Sequence, residues 1–151
     1  MRYLLLSLAF ALAACDSTPT ELLMDEAPEV TETDPDAPPA EGFSVIGRGQ
    51  LSGQNGYRVT GDVVVYRHTN GQHIVRVEGM NAQGGPDLKV WLVKRLAGDV
   101  TDGHFSLGPL RSTRGDQNYT VPAGTDPTEF AGLSVWCEQF GVGFGRAAIT
   151  F

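Results

Sequence analysis

From Leu133 to Phe151 the chain carries a two-residue rhythm that commits this stretch to sheet. Leu133, Val135 and Cys137 alternate with Ser134, Trp136 and Glu138, the period of a pleated strand. Phe140, Val142 and Phe144 then alternate with Gly141, Gly143 and Gly145, so a second strand follows closely. Glycine at every other position strips one face of that strand and lets a neighbouring backbone, side chain or ligand approach. Beyond Gly145 the apolar residues move from even to odd positions, at Ala147, Ile149 and Phe151. A β-bulge near Gly145–Arg146 accounts for the slip.

The sequence between Phe43 and Leu133 reads the same way. Short alternating runs are separated by Gly, Asn, Asp and Pro, and no segment shows a helical stripe. Phe43–Leu51 is a first strand and Gln54–Asn55–Gly56 a turn. Tyr57–Arg67 and Gln72–Glu78 form a hairpin joined at Asn70–Gly71, where a two-residue type I′ loop fixes register. In that register Val64 faces Val77, Tyr66 faces Val75, and His68 faces His73. Gly84–Gly85–Pro86–Asp87 is a further turn. Leu88–Lys94 is apolar on both faces and therefore central and twice covered. Leu107–Leu110 and Tyr119–Pro122 carry prolines, which suit edge pieces. Asp126–Pro127–Thr128–Glu129 starts one helical turn. The expected class is all-β: a small antiparallel sandwich or flattened barrel over residues 43–151, one domain with one core.

The N-terminus bears on the chemistry of Cys137. Met1–Arg2 and the apolar run Tyr3–Ala14 are too short to span a bilayer but suit a signal peptide over residues 1–14. Leu12–Ala13–Ala14–Cys15 resembles the bacterial lipobox. The resemblance implies cleavage before Cys15 and its lipidation, with a firm anchor from several acyl chains. Asp16 is similar to an inner-membrane retention signal. With Cys15 acylated, Cys137 is the only thiol of the mature chain, in an exported and oxidising setting.

Residues 15–42 read as a disordered tether. Between Asp16 and Gly42 stand nine acids, five prolines and no Lys or Arg. Such a composition buries too little apolar surface to offset the entropy of ordering. Its 27 residues reach roughly 30 Å as a coil and about 80 Å as polyproline II. The remaining nine acids and ten of the basic residues lie in 43–151, so the domain carries about +1 and the acidity belongs to the tether. Neither sign dominates, which gives no reason to expect nucleic acid or another charged partner.

Three blocks then carry a family resemblance: Gly84–Gly85–Pro86–Asp87 into Leu88–Lys89–Val90–Trp91–Leu92; Tyr119–Thr120–Val121–Pro122–Ala123–Gly124–Thr125; and Ser134–Val135–Trp136–Cys137–Glu138–Gln139–Phe140 with Phe144–Gly145. Together they resemble the DM-thirteen, or electron-transfer DM, domain over roughly Ile46–Phe151. The resemblance implies a compact β-fold on tethered cell-surface proteins. It also implies a characteristic cysteine, matched by Cys137, that acts as a bare thiol or helps hold a prosthetic group.

Each candidate residue has a plain structural alternative. Cys137 is either a redox thiol or a buried inert one. No Cys-X-X-Cys couple is present, so thiol exchange needs an external partner. Trp136, Trp91, Pro86, Asp87, Phe140 and Phe144 are pocket candidates, with Trp136 and the glycine-faced strand shaping a pocket at Cys137. The two tryptophans are otherwise core. His68 and His73 would bring Cβ atoms about 5 Å apart across the hairpin, close enough for a metal, or are simply solvated. His104 and Met80 are candidate ligands of a non-covalent haem, since no Cys-X-X-Cys-His attachment exists. Blue copper is disfavoured because neither His nor Met follows Cys137. Gly141–Val142–Gly143–Phe144–Gly145 lacks the helix a nucleotide loop requires. No conventional catalytic motif is found.

Two functions follow. One is an extracytoplasmic redox or electron-transfer accessory acting through Cys137, lipid-anchored on the cell envelope, facing the periplasm or exterior, with a redox protein partner. The other is a non-enzymatic envelope interaction module with a structural cysteine.

Overall fold

The computed structural model describes residues 37–151 apart from Gly98. The expected signal peptide, Cys15 and the expected tether as far as Asp36 lie outside the described residues. Among the described residues eight antiparallel strands make one sheet: β1 (Phe43–Gly53), β2 (Val59–His68), β3 (His73–Ala82), β4 (Leu88–Val93), β5 (Phe105–Pro109), β6 (Arg114–Val121), β7 (Gly132–Cys137) and β8 (Val142–Thr150). Their order, β5-β4-β7-β8-β1-β2-β3-β6, curls until β5 and β6 approach, giving a nearly closed barrel. The all-β expectation holds, with the flattened-barrel form realised.

The interior is filled by the alternate residues the periodicity selects. Val63, Val65, Val75, Val77, Val90, Leu92, Leu133 and Val135 have no exposed surface. Each such side chain contributes about 1.5–3 kcal/mol relative to leaving it in water. β4 is covered twice, as its apolar run requires. Leu88, Val90 and Leu92 face the barrel core, while Trp91 and Val93 pack outside with Val100, Leu96 and Trp136. The expected turn at Asp126 is a 3₁₀ turn, Pro127–Glu129, capped by the Asp126 carboxylate. Accepting from the Thr128 backbone N–H, and then from its hydroxyl, lowers the pKa of Asp126.

Side chains of β6 fasten the loop that joins β5 to β6. Gln117, only 1% exposed, accepts from the Arg111 and Ser112 amides at 3.2 and 3.1 Å. Its Nε2 donates to the Ser112 carbonyl at 2.7 Å, and the Tyr119 hydroxyl donates to its Oε1 at 2.8 Å.

The β2–β3 hairpin departs from the expected register by one residue. Arg67 pairs with His73, Val65 with Val75, and Val64 with Arg76. The loop has three residues rather than two. The His68 amide donates to the Gln72 carbonyl, the Gly71 amide donates back to the His68 carbonyl, and Gly71 sits at φ +90°. A type I turn ending in a left-handed glycine competes with the type I′ turn for an Asn-Gly pair, and the flanking pairing decides between them. The shift turns His68 and His73 to opposite faces, so they do not face one another. Nothing crowds an added Cβ at Gly71. Gly71→Ala should therefore cost only the left-handed strain, about 1–2 kcal/mol in urea unfolding, and Gly71→Asn less.

In β8 the bulge falls at Phe144, one residue before the expected site. Val135 pairs with Gly145 and Trp136 with Gly143, leaving Phe144 unmatched. Ala37–Gly42, read from sequence as the end of the tether, lies against the barrel. Asn118 Nδ2 donates to the Ala37 carbonyl at 2.7 Å, and the Thr69 amide donates to the Gly42 carbonyl at 3.1 Å.

Candidate functional site

Cys137 ends β7, paired with Leu88 on one side and Val142 on the other. It is a free thiol with no exposed surface, and its Sγ–H donates to the Pro86 carbonyl at 2.9 Å. The turn Gly84–Asp87 thus caps this end of the barrel. A Cβ at Gly85 would fall 2.6 Å from the Phe144 ring, so only glycine lets the cap lie flat on that ring. Phe144 in turn stacks on Tyr57, with centroids 3.7 Å apart and planes 9° from parallel. Outside, the cap is tied down. The Glu138 amide donates to the Asp87 carbonyl at 3.1 Å. Lys89 Nζ lies 2.7 Å from Asp87 and 3.9 Å from Glu138. The hydrogen bond to Asp87 raises the Lys89 pKa, against a smaller opposing effect of desolvation. A cleft of ≈ 870 Å³, lined in part by Tyr57, Gln83 and Gly84, borders the cap.

Pro86 and Phe144 are therefore gathered at the thiol, with Asp87 holding their turn in place. Phe140 is not, being 60% exposed. Trp136 is also excluded, because the strand's own alternation turns it to the outer face as it turns Cys137 inward. There Trp136 stacks on Trp91 at 5.0 Å, and His104 stacks on Trp91 at 3.8 Å. The bare face at Gly143 gives room to Trp136 and Arg146, both within 4 Å of where a Cβ would stand. Arg146 Nη1 donates to the Leu96 carbonyl, which holds the β4–β5 loop over this wall. Trp91 Nε1 and Arg146 Nε are buried without a hydrogen-bond partner among the described residues. The glycine-faced strand thus serves an aromatic stack on the outside, and the thiol is sealed within.

The remaining candidates are dispersed. Met80 is inside the barrel, whereas His104 is outside it with Nδ1 2.6 Å from the Thr101 carbonyl, so they form no axial pair. His68 packs on Phe43, and His73 borders a cleft at the opposite end of the barrel from Cys137. Among the described residues no three His, Cys, Asp or Glu side chains gather as metal ligands. With the Pro86 carbonyl and the cap packed on Sγ, the residues at Cys137 do not fit a prosthetic group. Sequence reading passed over Gln117 and Arg76. Each is a polar residue in a strand, and periodicity carries no signal that a polar side chain is buried.

A family model described as Electron transfer DM13 matches residues 50–149. No curated protein matches the chain, and no solved structure does.

Proposed function

The chain belongs to the Electron transfer DM13 family, and on that premise we propose that it is an electron-transfer accessory tethered outside the cytoplasm through lipidated Cys15, with Cys137 as its redox group. The observation that carries this reading is the position of the thiol. It lies at the barrel end, separated from solvent by one four-residue turn that is fastened by polar contacts rather than by a second layer of core. A turn of this kind can open locally without unfolding the barrel. Once it opens, the Cys137 thiolate attacks one sulfur of a partner protein's disulfide, having lost its proton to solvent. A mixed disulfide forms and the partner's second sulfur leaves as thiolate. With no second thiol beside Cys137, two equivalents of an external low-molecular-weight thiol complete the transfer. The first attacks the Cys137 sulfur and releases the partner as its dithiol. The second attacks the new mixed disulfide, frees Cys137 and leaves as the oxidised disulfide.

Thiol labelling of the folded, full-length protein tests this. Cys137 should react at least ~100-fold more slowly than in denaturant, yet faster than global unfolding allows, and the rate should level off at high reagent as opening becomes limiting. The second reading, an envelope interaction module with a structural cysteine, is favoured by the complete burial of Cys137 and its bond to Pro86. It requires labelling no faster than global unfolding. A Cys137→Ser variant that keeps any measured redox activity would eliminate the first reading.

A further inference from the structure

The cleft that borders the Cys137 cap carries one sign of charge. Its ≈ 870 Å³ are lined where β2 and β6 begin and β3 ends. Arg58 and Arg114 are in that lining, and no Asp or Glu among the described residues is. Strand pairing explains why the two cations meet. Thr60 pairs with Asn81 and Asn81 with Arg114, so these three stand in one row. Arg58 precedes Thr60 by two residues and continues its face, while the intervening Val59 is buried in the core. Opposite Arg58 stands Gln83, whose amide donates to the Arg58 carbonyl at 2.7 Å. The two arginine backbones are thus roughly 12 Å apart, two strand spacings across and two residues along. Arg76 and Arg95 each meet a carboxylate. Among the described residues the Arg58 and Arg114 guanidinium groups form neither an ion pair nor a hydrogen bond.

The cleft reaches the gate of the thiol. Gly84 lines it and stands two residues before Pro86, whose carbonyl accepts from Cys137. Tyr57 lines it too and stacks on Phe144, the ring under Gly85. Approach from the far side of the cap meets Asp87 and Glu138, with Lys89 bound to both. The cap therefore has a positive flank at the cleft and a flank of two acids and one cation opposite. A cleft lined by one sign of charge concentrates ligands of the other sign, and arginine pairs with carboxylates through two parallel hydrogen bonds.

We propose that this cleft binds the carboxylates of the low-molecular-weight thiol that turns Cys137 over, with Arg58 and Arg114 as its anchors, an assignment that rests on the redox reading of Cys137. With its acid groups held there, the small thiol presents its sulfur at the Gly84 edge. As the cap opens, its thiolate attacks the Cys137 sulfur of the mixed disulfide. A new S–S bond forms to Cys137, and the partner's sulfur leaves as thiolate and takes a proton from solvent.

Three disulfide probes of similar length test this on the full chain in detergent, with labelling of Cys137 read by peptide mass. They are 3,3′-dithiodipropionate, 2-hydroxyethyl disulfide and cystamine, which are anionic, neutral and cationic. Rates are taken at low reagent, where opening is not limiting, and each is divided by its rate in denaturant. The anionic probe should outrun the cationic one by about tenfold. Arg58→Gln with Arg114→Gln should bring that ratio to one or below and leave the neutral probe unchanged. The thioether 3,3′-thiodipropionate, which has no S–S bond to exchange, should shift the amide resonances of Arg58, Gln83, Gly84 and Arg114. The double variant should weaken its binding by about tenfold. The inference is overturned if the anionic probe has no advantage, if its advantage survives the double variant, or if thiodipropionate leaves those amides unmoved. Gated labelling by the neutral probe in the absence of charge preference sinks the anion site and leaves the redox reading standing. Labelling no faster than global unfolding sinks the redox reading, and the thiol as ligand with it, even where thiodipropionate binds.

Discussion

Phe144→Ala is expected to destabilise the barrel by about 3–5 kcal/mol and to open Cys137 to thiol reagents. Phe144 is 1% exposed, lies under Gly85, and stacks on Tyr57. Truncation removes the floor on which Gly85 and the cap rest, and the cap carries the Pro86 carbonyl that closes over the thiol. Two measurements separate the effects: urea unfolding gives the lost stability, and labelling under native conditions gives the gain in access. If the cap is the gate, labelling accelerates by more than the factor set by the lost stability. An increase equal to that factor would show that Cys137 reacts only through global unfolding, and the redox reading would fall with it. Phe144→Leu keeps much of the volume and should cost about 1–2 kcal/mol, with labelling between the two.

Gln117→Leu should cost about 3 kcal/mol although it is nearly isosteric and adds apolar surface. The replacement removes the Oε1 and Nε2 that serve the Ser112 amide, the Ser112 carbonyl and the Tyr119 hydroxyl, at about 1–3 kcal/mol for each bond lost where water cannot reach it, while the Arg111 amide retains the Tyr119 hydroxyl at 3.3 Å. Solvent at the seam moderates the sum. Gln117→Glu keeps the accepting Oε1 but turns a second carboxylate oxygen towards the Ser112 carbonyl and buries a charge, so it should cost at least as much as Gln117→Leu. Chemical denaturation measures both variants, and hydrogen exchange at Arg111 and Ser112 locates the loss. If Gln117→Leu proved neutral, the β5–β6 loop would be held in place without the Gln117 bonds.

The turns illustrate how far local chemistry reaches. Gly84–Asp87 and Asp126–Glu129 were legible because glycine, proline and N-cap preferences act within a few residues. The expected strand from Phe140 begins only at Val142, since Phe140 and Gly141 form the turn that precedes it. The hairpin register was not, since Asn70–Gly71 is compatible with two loop lengths and the choice rests on which pairing buries Val63, Val65, Val75 and Val77 together. His68 and His73 lost their proposed pairing through that single step.

The candidate site divides in the same way. Alternation alone places Cys137 and Trp136 on opposite faces of one strand, and it marks β4 as covered twice. Which face becomes the interior, that a carbonyl fifty-one residues away in sequence closes over the thiol, and that Gln117 and Arg76 sit buried on polar partners were decided by tertiary structure. The reason is physical. Periodicity is a property of one strand and its own pleat, whereas burial, register and hydrogen-bond satisfaction arise from contacts between strands far apart in sequence, which a single strand's pattern cannot contain.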